Sequence, residues 1–433
     1  MRRILRRVLV WKLRWLARRV IKKYRPKIVA VTGSVGKTTT KELISAALEG
    51  HYRLRSAQGY NSEFGVPLTI LNEKSAPSVR HWIGIFGRGM KLWLGKHDYP
   101  ELLVLEMAAD QPGDVKSLTR LAPPDVAVVT NVRNVHLANY PHADAIADEK
   151  AWLVRNLRKD GLAVLNFDDT KTRIMQRFAP GRVLYYGLTD ESNIWAENIK
   201  VGRDGTTATV HLREGEQGEV RKWSLTTPLL GVHQLYGVLA AIAAAHALNI
   251  QPEQAVKSVA KVGPPPGRLR ALPGKGSLTV LDDSYNASPQ STLASLEVLK
   301  RFPKPHRAVL GDMRELGEAS ADLHRMVGES LDWLDELVTV GPESEALAEA
   351  AKKAGLAAKR IRSVRLTPEA IPLAAEWRDG TVLVKGSQNT LYLERVSESF
   401  LRDPRDANLL TQRLKDPLHK RSLERYEQSA KTA

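Results

Sequence analysis

The chain has 433 residues, 43% hydrophobic and 26% charged, the balance of an ordinary soluble protein too long for one core and long enough for two or three domains. It contains no cysteine, which excludes disulfides, thiolate zinc sites and cysteine nucleophiles and points to a cytoplasmic address. The formal charge of +17 is uneven: residues 1–27 hold twelve Lys or Arg and no acid, leaving about +5 for everything that follows.

That leader, residues 1–27, reads as a basic amphipathic helix. Leu5, Leu9, Leu13, Leu16 and Val20 fall on one face and Arg3, Arg7, Arg14 and Arg18 opposite. Its longest apolar run is four residues, so it holds neither a signal-peptide core nor a spanning helix. Two readings stay open. With Trp11 and Trp15 among arginines, the helix suits an anionic membrane surface, on the inner face of the membrane; equally, it could dock on its own protein or on a partner. Nothing else in the chain supports nucleic-acid binding, and no nucleic-acid partner is expected.

Next come short β-rich runs, each followed by a turn and a helical pattern: 27–31, 101–106, 125–130 and 161–166, then 277–283, 307–312, 336–340 and 381–386. Such alternation predicts an α/β fold with mainly parallel sheets, whose strands are buried on both faces. Residues 193–226 alternate and carry many charges, which predicts a small antiparallel insertion. "KVGPPPGRLR" (261–270) stiffens a linker with three prolines. The expected domains are therefore a nucleotide domain at 28–262, a second α/β domain at 268–403, and a polar tail at 404–433, helical or loose.

Chemistry concentrates first in "VAVTGSVGKTTTKE" (29–42), an apolar run, a small-residue turn, Gly-Lys-Thr and a helix former. This is the layout of a phosphate-binding loop, although Val31 stands where G-x-x-x-x-G-K-[ST] has its first glycine. Backbone N–H groups of Thr32, Gly33, Ser34, Val35, Gly36 and Thr39 would cradle phosphates, Lys37 would face the β/γ-phosphates and Thr38 would place its hydroxyl on Mg²⁺. Glu106 and Asn131 end strands, where open α/β sheets bind ligands, and a carboxylate there could ligate Mg²⁺. His136 alone is more often a packed or surface histidine, and Lys150, beside Glu149, an ordinary helix-surface lysine.

As a set these residues resemble the Mur ligase family, in particular the branch that adds D-alanyl-D-alanine to a UDP-muramoyl tripeptide. The family loop T-G-x-x-G-K-T is matched by Thr32, Gly33, Gly36, Lys37 and Thr38. "NSEFGVPLTIL" (61–71), "LEMAADQPGDV" (105–115), "TNVRNVHL" (130–137), "ADEKAWLV" (147–154) and "LNFDD" (165–169) are similar to further family motifs, and so are "DDSYNASPQS" (282–291), "VLGDMRELGEASADLH" (309–324) and "LVKGS" (383–387).

The resemblance implies a P-loop ATPase domain with a mainly parallel sheet, followed by a C-terminal Rossmann-like α/β domain. It implies ATP with two Mg²⁺ ions held by Thr38, Glu106, His136 and Lys150, the last carbamylated by CO₂. Asn61 would lie beside the phosphates or acceptor, His233 near the base, and Arg268, Asp283 and Asn286 would reach the nucleotide from the second domain. The implied reaction passes through an acyl phosphate on a muramoyl-peptide carboxylate and joins D-alanyl-D-alanine to it, in peptidoglycan precursor synthesis; the alternative is a different or lipid-linked acceptor at the membrane. Three departures stand out. Only the 27-residue leader precedes the nucleotide domain, where the family has a UDP-binding domain. Gln234 and Gly237 replace two asparagines, and Gln388 replaces a common arginine.

Overall fold

The structure is a computed structural model that describes residues 2–57, 59–74, 79–133, 140, 143–215, 218–387, 390–415 and 417–432. Its first sheet is built from β1 (Lys27–Thr32), β2 (Leu54–Ser56), β3 (Leu102–Glu106), β4 (Val126–Val129), β5 (Leu162–Asn166), β6 (Arg182–Gly187), β7 (Ile194–Val201), β8 (Thr206–Arg213) and β9 (Val220–Thr227). They lie in the order β2-β3-β1-β4-β5-β6-β7-β8-β9, parallel up to β7 and antiparallel from there on. The antiparallel strands foreseen at 193–226 are thus no separate insertion. They extend the main sheet at its edge, where one exposed face accounts for the alternation.

The central strands are continuously apolar because both faces are covered. In β1, Val29 and Val31 join the core beneath one layer of helices, while Ile28 and Ala30 join the core beneath the other. The first layer holds α2 (Lys37–Leu48) and the helix Val232–Ala247. The second holds α1 (Arg2–Tyr24), α3 (Gly65–Leu71), α4 (Val79–Leu94), α5 (Asp114–Leu121) and α6 (Ala143–Arg155).

The second sheet comprises β10 (Arg270–Pro273), β11 (Thr279–Asp283), β12 (His306–Gly311), β13 (Glu336–Val340), β14 (Ile361–Val364) and β15 (Thr381–Lys385). Its order is β10-β11-β15-β12-β13-β14, parallel except for β10, with its own cores on both faces. The described residues of 404–415 and 417–432 do not form a loose tail: two short 3₁₀ turns and the helix Pro417–Thr432 pack back on this sheet's helices, with Arg395 paired to Glu427 at 2.9 Å.

α1 settles one of the open readings. Leu13, Leu16 and Val20 are buried against α3, α4 and α5, so this apolar face lies in the protein and not on lipid. Leu9 is half-buried, and the Leu5 side chain lies outside the described residues. Arg14, assigned to the outer face, instead donates to the Ser117 carbonyl at 2.7 Å. Tyr24 bonds the Leu92 carbonyl at 2.8 Å, and Trp15 meets Trp93 edge-on at 5.3 Å. Leu16→Ala is therefore expected to cost about 2–5 kcal/mol through the cavity it leaves, read as a lower urea midpoint. An unchanged midpoint would show α1 to be loosely attached.

Candidate active site

The turn after β1 is built by close approach. Gly33 has φ 150°, and a β-carbon there would stand 1.8 Å from Thr130 Oγ1 at the end of β4. Gly36 adopts the left-handed conformation, φ 85°, and caps α2, whose first backbone N–H groups have no partner inside the helix. The turn is also bonded to the segment after β4. Asn131 accepts from the Val35 N–H and donates to the Val35 carbonyl, both at 3.0 Å, and Ser34 Oγ accepts from the Arg133 N–H at 2.8 Å. Thr32 bonds the Met107 carbonyl at 2.8 Å and ties the turn to β3.

Two lysines meet behind this turn. The Lys37 ammonium donates to the carbonyls of Gly33 and Ser34 at 2.9 and 3.0 Å, and Lys150 donates to the same Gly33 carbonyl at 3.1 Å. Lys150 is 1% exposed, so it is no surface lysine. Burial first, and then the charge of Lys37, bring its pKa down to about 7. Burial also lowers Lys37, partly offset by Glu106.

In front of the turn, Thr38 Oγ1 donates to Glu106 Oε2 at 3.1 Å, and Asn61 Nδ2 donates to the other oxygen, Oε1, at 3.2 Å. Glu106 is buried at the end of β3. Among the described residues no three His, Asp or Glu side chains converge as a ready cation site. His136 lies outside the described residues, as does Gln388.

The turn opens on a cleft of about 310 Å³ between the two sheets. Ser34, Val35, Gly36, Lys37, Thr38, Thr39, Asn61, Glu106 and His233 line one wall, and Arg268, Asp283 and Asn286 the other. Thr32, Gly33 and Lys150 stand behind the wall and do not line it. In the second wall Lys385 pairs with Asp283 Oδ2 at 2.5 Å and donates to the Asn286 carbonyl at 3.0 Å. Arg268 lies 4.1 Å from the Tyr285 ring centroid. Burial takes His233 down to about 4, so its imidazole is neutral at physiological pH.

The model of the Mur ligase middle domain matches residues 31–245, and that of the Mur ligase glutamate ligase domain matches 267–388. The MurF ligase of Thermotoga maritima, solved in complex with ADP, superposes with a TM-score of 0.73 at 30% identity, over 90% of this chain and 83% of that one. The chain belongs to the Mur ligase family. An Acinetobacter baumannii MurF structure gives 0.71 at 26%, over 87% and 77%. The UDP-N-acetylmuramoyl-tripeptide–D-alanyl-D-alanine ligase of Bacillus subtilis (strain 168) is 29% identical over 347 residues, 79% of this chain and 68% of its own length.

Several residues that shape this Mur ligase site escaped the sequence. Glu149, named in the sequence only as the neighbour of Lys150, is buried and accepts from the N–H groups of Gly113 and Val115 at 2.7 and 2.6 Å. It thereby caps α5 and anchors α6, the helix that carries Lys150. Gly237 has a packing reason: a β-carbon there would meet Thr40 Oγ1 at 3.1 Å and Leu43 at 3.2 Å, where Val232–Ala247 crosses α2. Arg413 lies beyond the matched domains. It grips Glu394 with two nitrogens, at 3.0 and 2.6 Å, and donates to the carbonyls of Ser284 and Tyr285 at 3.1 Å each. No local motif announces it, since its partners lie 19 to 129 residues away.

Arg413→Ala would leave Glu394 charged and unpaired in the interior, a loss of about 3–5 kcal/mol. The expected result is a lower melting temperature together with weaker ADP binding, measured by calorimetry. Arg413→Lys should recover part of the first and little of the second, because an ammonium lacks the guanidinium fork.

Proposed function

We propose that this Mur ligase joins D-alanyl-D-alanine to a UDP-muramoyl tripeptide in peptidoglycan precursor synthesis, working in the cytoplasm where ATP is supplied. The observation that carries the proposal is the cleft itself, with the Lys37–Thr38–Glu106–Asn61 group facing Arg268, Asp283 and Asn286 from the second sheet. The names of the relatives support the choice of substrates. The two units are taken as 28–262 and 268–403, joined at the three prolines.

The residues present suit ATP and Mg²⁺. Gly36 leaves the N-terminus of α2 open to phosphate oxygens, and the Thr38 hydroxyl and Glu106 carboxylate, 3.1 Å apart, are the hard oxygen donors that Mg²⁺ prefers. Mg-ATP would supply the phosphoryl group that turns the acceptor carboxylate into an acyl phosphate, leaving ADP; the amine of the dipeptide then attacks the acyl carbon and expels phosphate to give the amide.

This chain's own residues bind and orient. Lys37 places positive charge beside the phosphates, and Asn61, held by Glu106, presents an amide at the same spot. His136 is proposed as a further metal ligand. Lys150, buried and bonded to the turn, is proposed to carry the carbamate that completes the metal set. His233 would lie near the base, while Arg268, Asp283 and Asn286 close the cleft over the nucleotide and keep water from the activated carboxylate.

Phosphate release with Mg-ATP should require both UDP-muramoyl tripeptide and D-alanyl-D-alanine. Release that needs the dipeptide and a different muramoyl acceptor would move the substrate while keeping the chemistry; release with neither would overturn the proposal. Lys37→Ala should lower kcat by about a thousandfold, the scale of losing transition-state charge stabilisation. Lys150→Ala should fall comparably and regain activity when short carboxylates are added. Full activity in Lys150→Ala without additives would remove the carbamate.

A further inference from the structure

With its apolar face buried, α1 shows the opposite face to solvent, and that face has its own pattern. Arg7, Trp11, Trp15, Arg18, Lys22 and Arg25 recur at spacings of three and four and are all exposed, Trp11 at 65%. Arg7, Trp11, Trp15, Arg18 and Lys22 lie diametrically across α1 from Leu13, Leu16 and Val20, and Arg25 follows just past the helix end. Arg7, Arg18, Lys22 and Arg25 have no carboxylate partner among the described residues. At its C-terminal end the stripe runs into a hollow of about 560 Å³, whose basic lining is Arg18, Lys22, Arg25, Arg120 and Arg158. Ile21, Leu121 and Pro123 give it an apolar floor. Only Arg158 is partly neutralised, by Asp125 at 3.1 Å.

We infer that this outer face of α1 and its hollow dock the protein on an anionic lipid bilayer. Three features select that occupant. The charge is of one sign along the whole stripe, as a leaflet of anionic headgroups requires. Two exposed indoles are interleaved with the cations, and indole settles at the boundary between headgroup and acyl chain. The hollow has the volume and the guanidinium lining to take a phosphate headgroup over an apolar floor. A duplex would not draw on the tryptophans in this way.

The orientation follows from the sheet. Arg25, Arg120 and Arg158 stand just before β1, β4 and β5, at the N-terminal edge of parallel strands, whereas the phosphate-binding turn lies at the C-terminal edge. A protein seated on α1 would therefore hold its cleft away from the bilayer and open to soluble substrates.

The test is flotation of the full chain with vesicles of phosphatidylglycerol and phosphatidylcholine, against phosphatidylcholine alone. Flotation is expected on the anionic vesicles only, released as salt is raised. The triple variant Arg18→Gln, Lys22→Gln, Arg25→Gln should bind weaker by about tenfold or more, and Trp11→Ser should bind more weakly at every salt concentration. Both should keep the wild-type melting temperature and ADP affinity, since these residues are far from the cleft. Soluble glycerol phosphate should not displace the vesicles; displacement would assign the hollow to a free phosphate ester and overturn the bilayer reading. So would the absence of flotation at low salt, undiminished flotation of the triple variant, or retention on duplex DNA or an acidic peptide without flotation.

Discussion

At Gly33 the first sheet has no room for a side chain: the turn after β1 presses on Thr130 so closely that only glycine, at φ 150°, lets it close. From that contact the rest of the cleft follows. The turn is pinned to β4 through Asn131 and Arg133, which fixes where α2 begins and hence where Lys37 and Thr38 stand. The same contact brings the Gly33 carbonyl within reach of Lys150 on α6. It also explains Val31. A first glycine at that position would fall inside β1, where Val31 is fully buried and in register with Glu106 on one side and Val128 on the other. Here the strand needs a core residue, and the turn starts two residues later, at Gly33.

The opposing wall relies on buried charge. Lys385–Asp283 and Arg413–Glu394 flank the segment 284–286, and both pairs are nearly inaccessible. Such pairs add little net stability, because desolvation offsets most of the attraction, yet losing one partner is costly. Their effect is geometric: the carbonyls of Ser284, Tyr285 and Asn286 each accept a hydrogen bond from one of the two cations. Asn286 and Tyr285 therefore meet the cleft from a fixed backbone, and Arg413 supports the site from behind although it lies outside the matched domains.

What the sequence made legible depended on burial. The eight apolar runs all became strands, because strands covered on both faces are apolar at every position. β2, β10 and β14 did not show, being three or four residues long and edge-placed or charged, and neither did β6, with its exposed Arg182 and Val183 half-buried. In the site, Ser34 through Thr39 and Glu106, beside a glycine turn or a strand end, were readable from the residues themselves, whereas Asn61 and His233 came only from the family resemblance; all of them line one wall. Glu149 and Arg413 were not, since each acts on backbone groups distant in sequence. α1 shows a further limit. Its amphipathic pattern identified a face to be covered but could not say whether lipid or protein covers it.

The uneven charge takes on a different meaning once the sheet is known. An excess of cations on a nucleotide enzyme suggests steering of anionic substrates, but here the excess sits on α1 and at the N-terminal edge of the strands. Strands of five or six residues separate that edge from the phosphate-binding turn by about 17–20 Å. That distance exceeds the Debye length of about 8 Å at physiological salt, so the leader's field is largely screened at the cleft. Phosphate recognition must then come from local groups, the α2 N-terminus, Lys37 and Arg268, and those suffice without the leader. The two ends of the sheet are thus electrostatically independent, and the basic face is free to be shaped by whatever surface it meets.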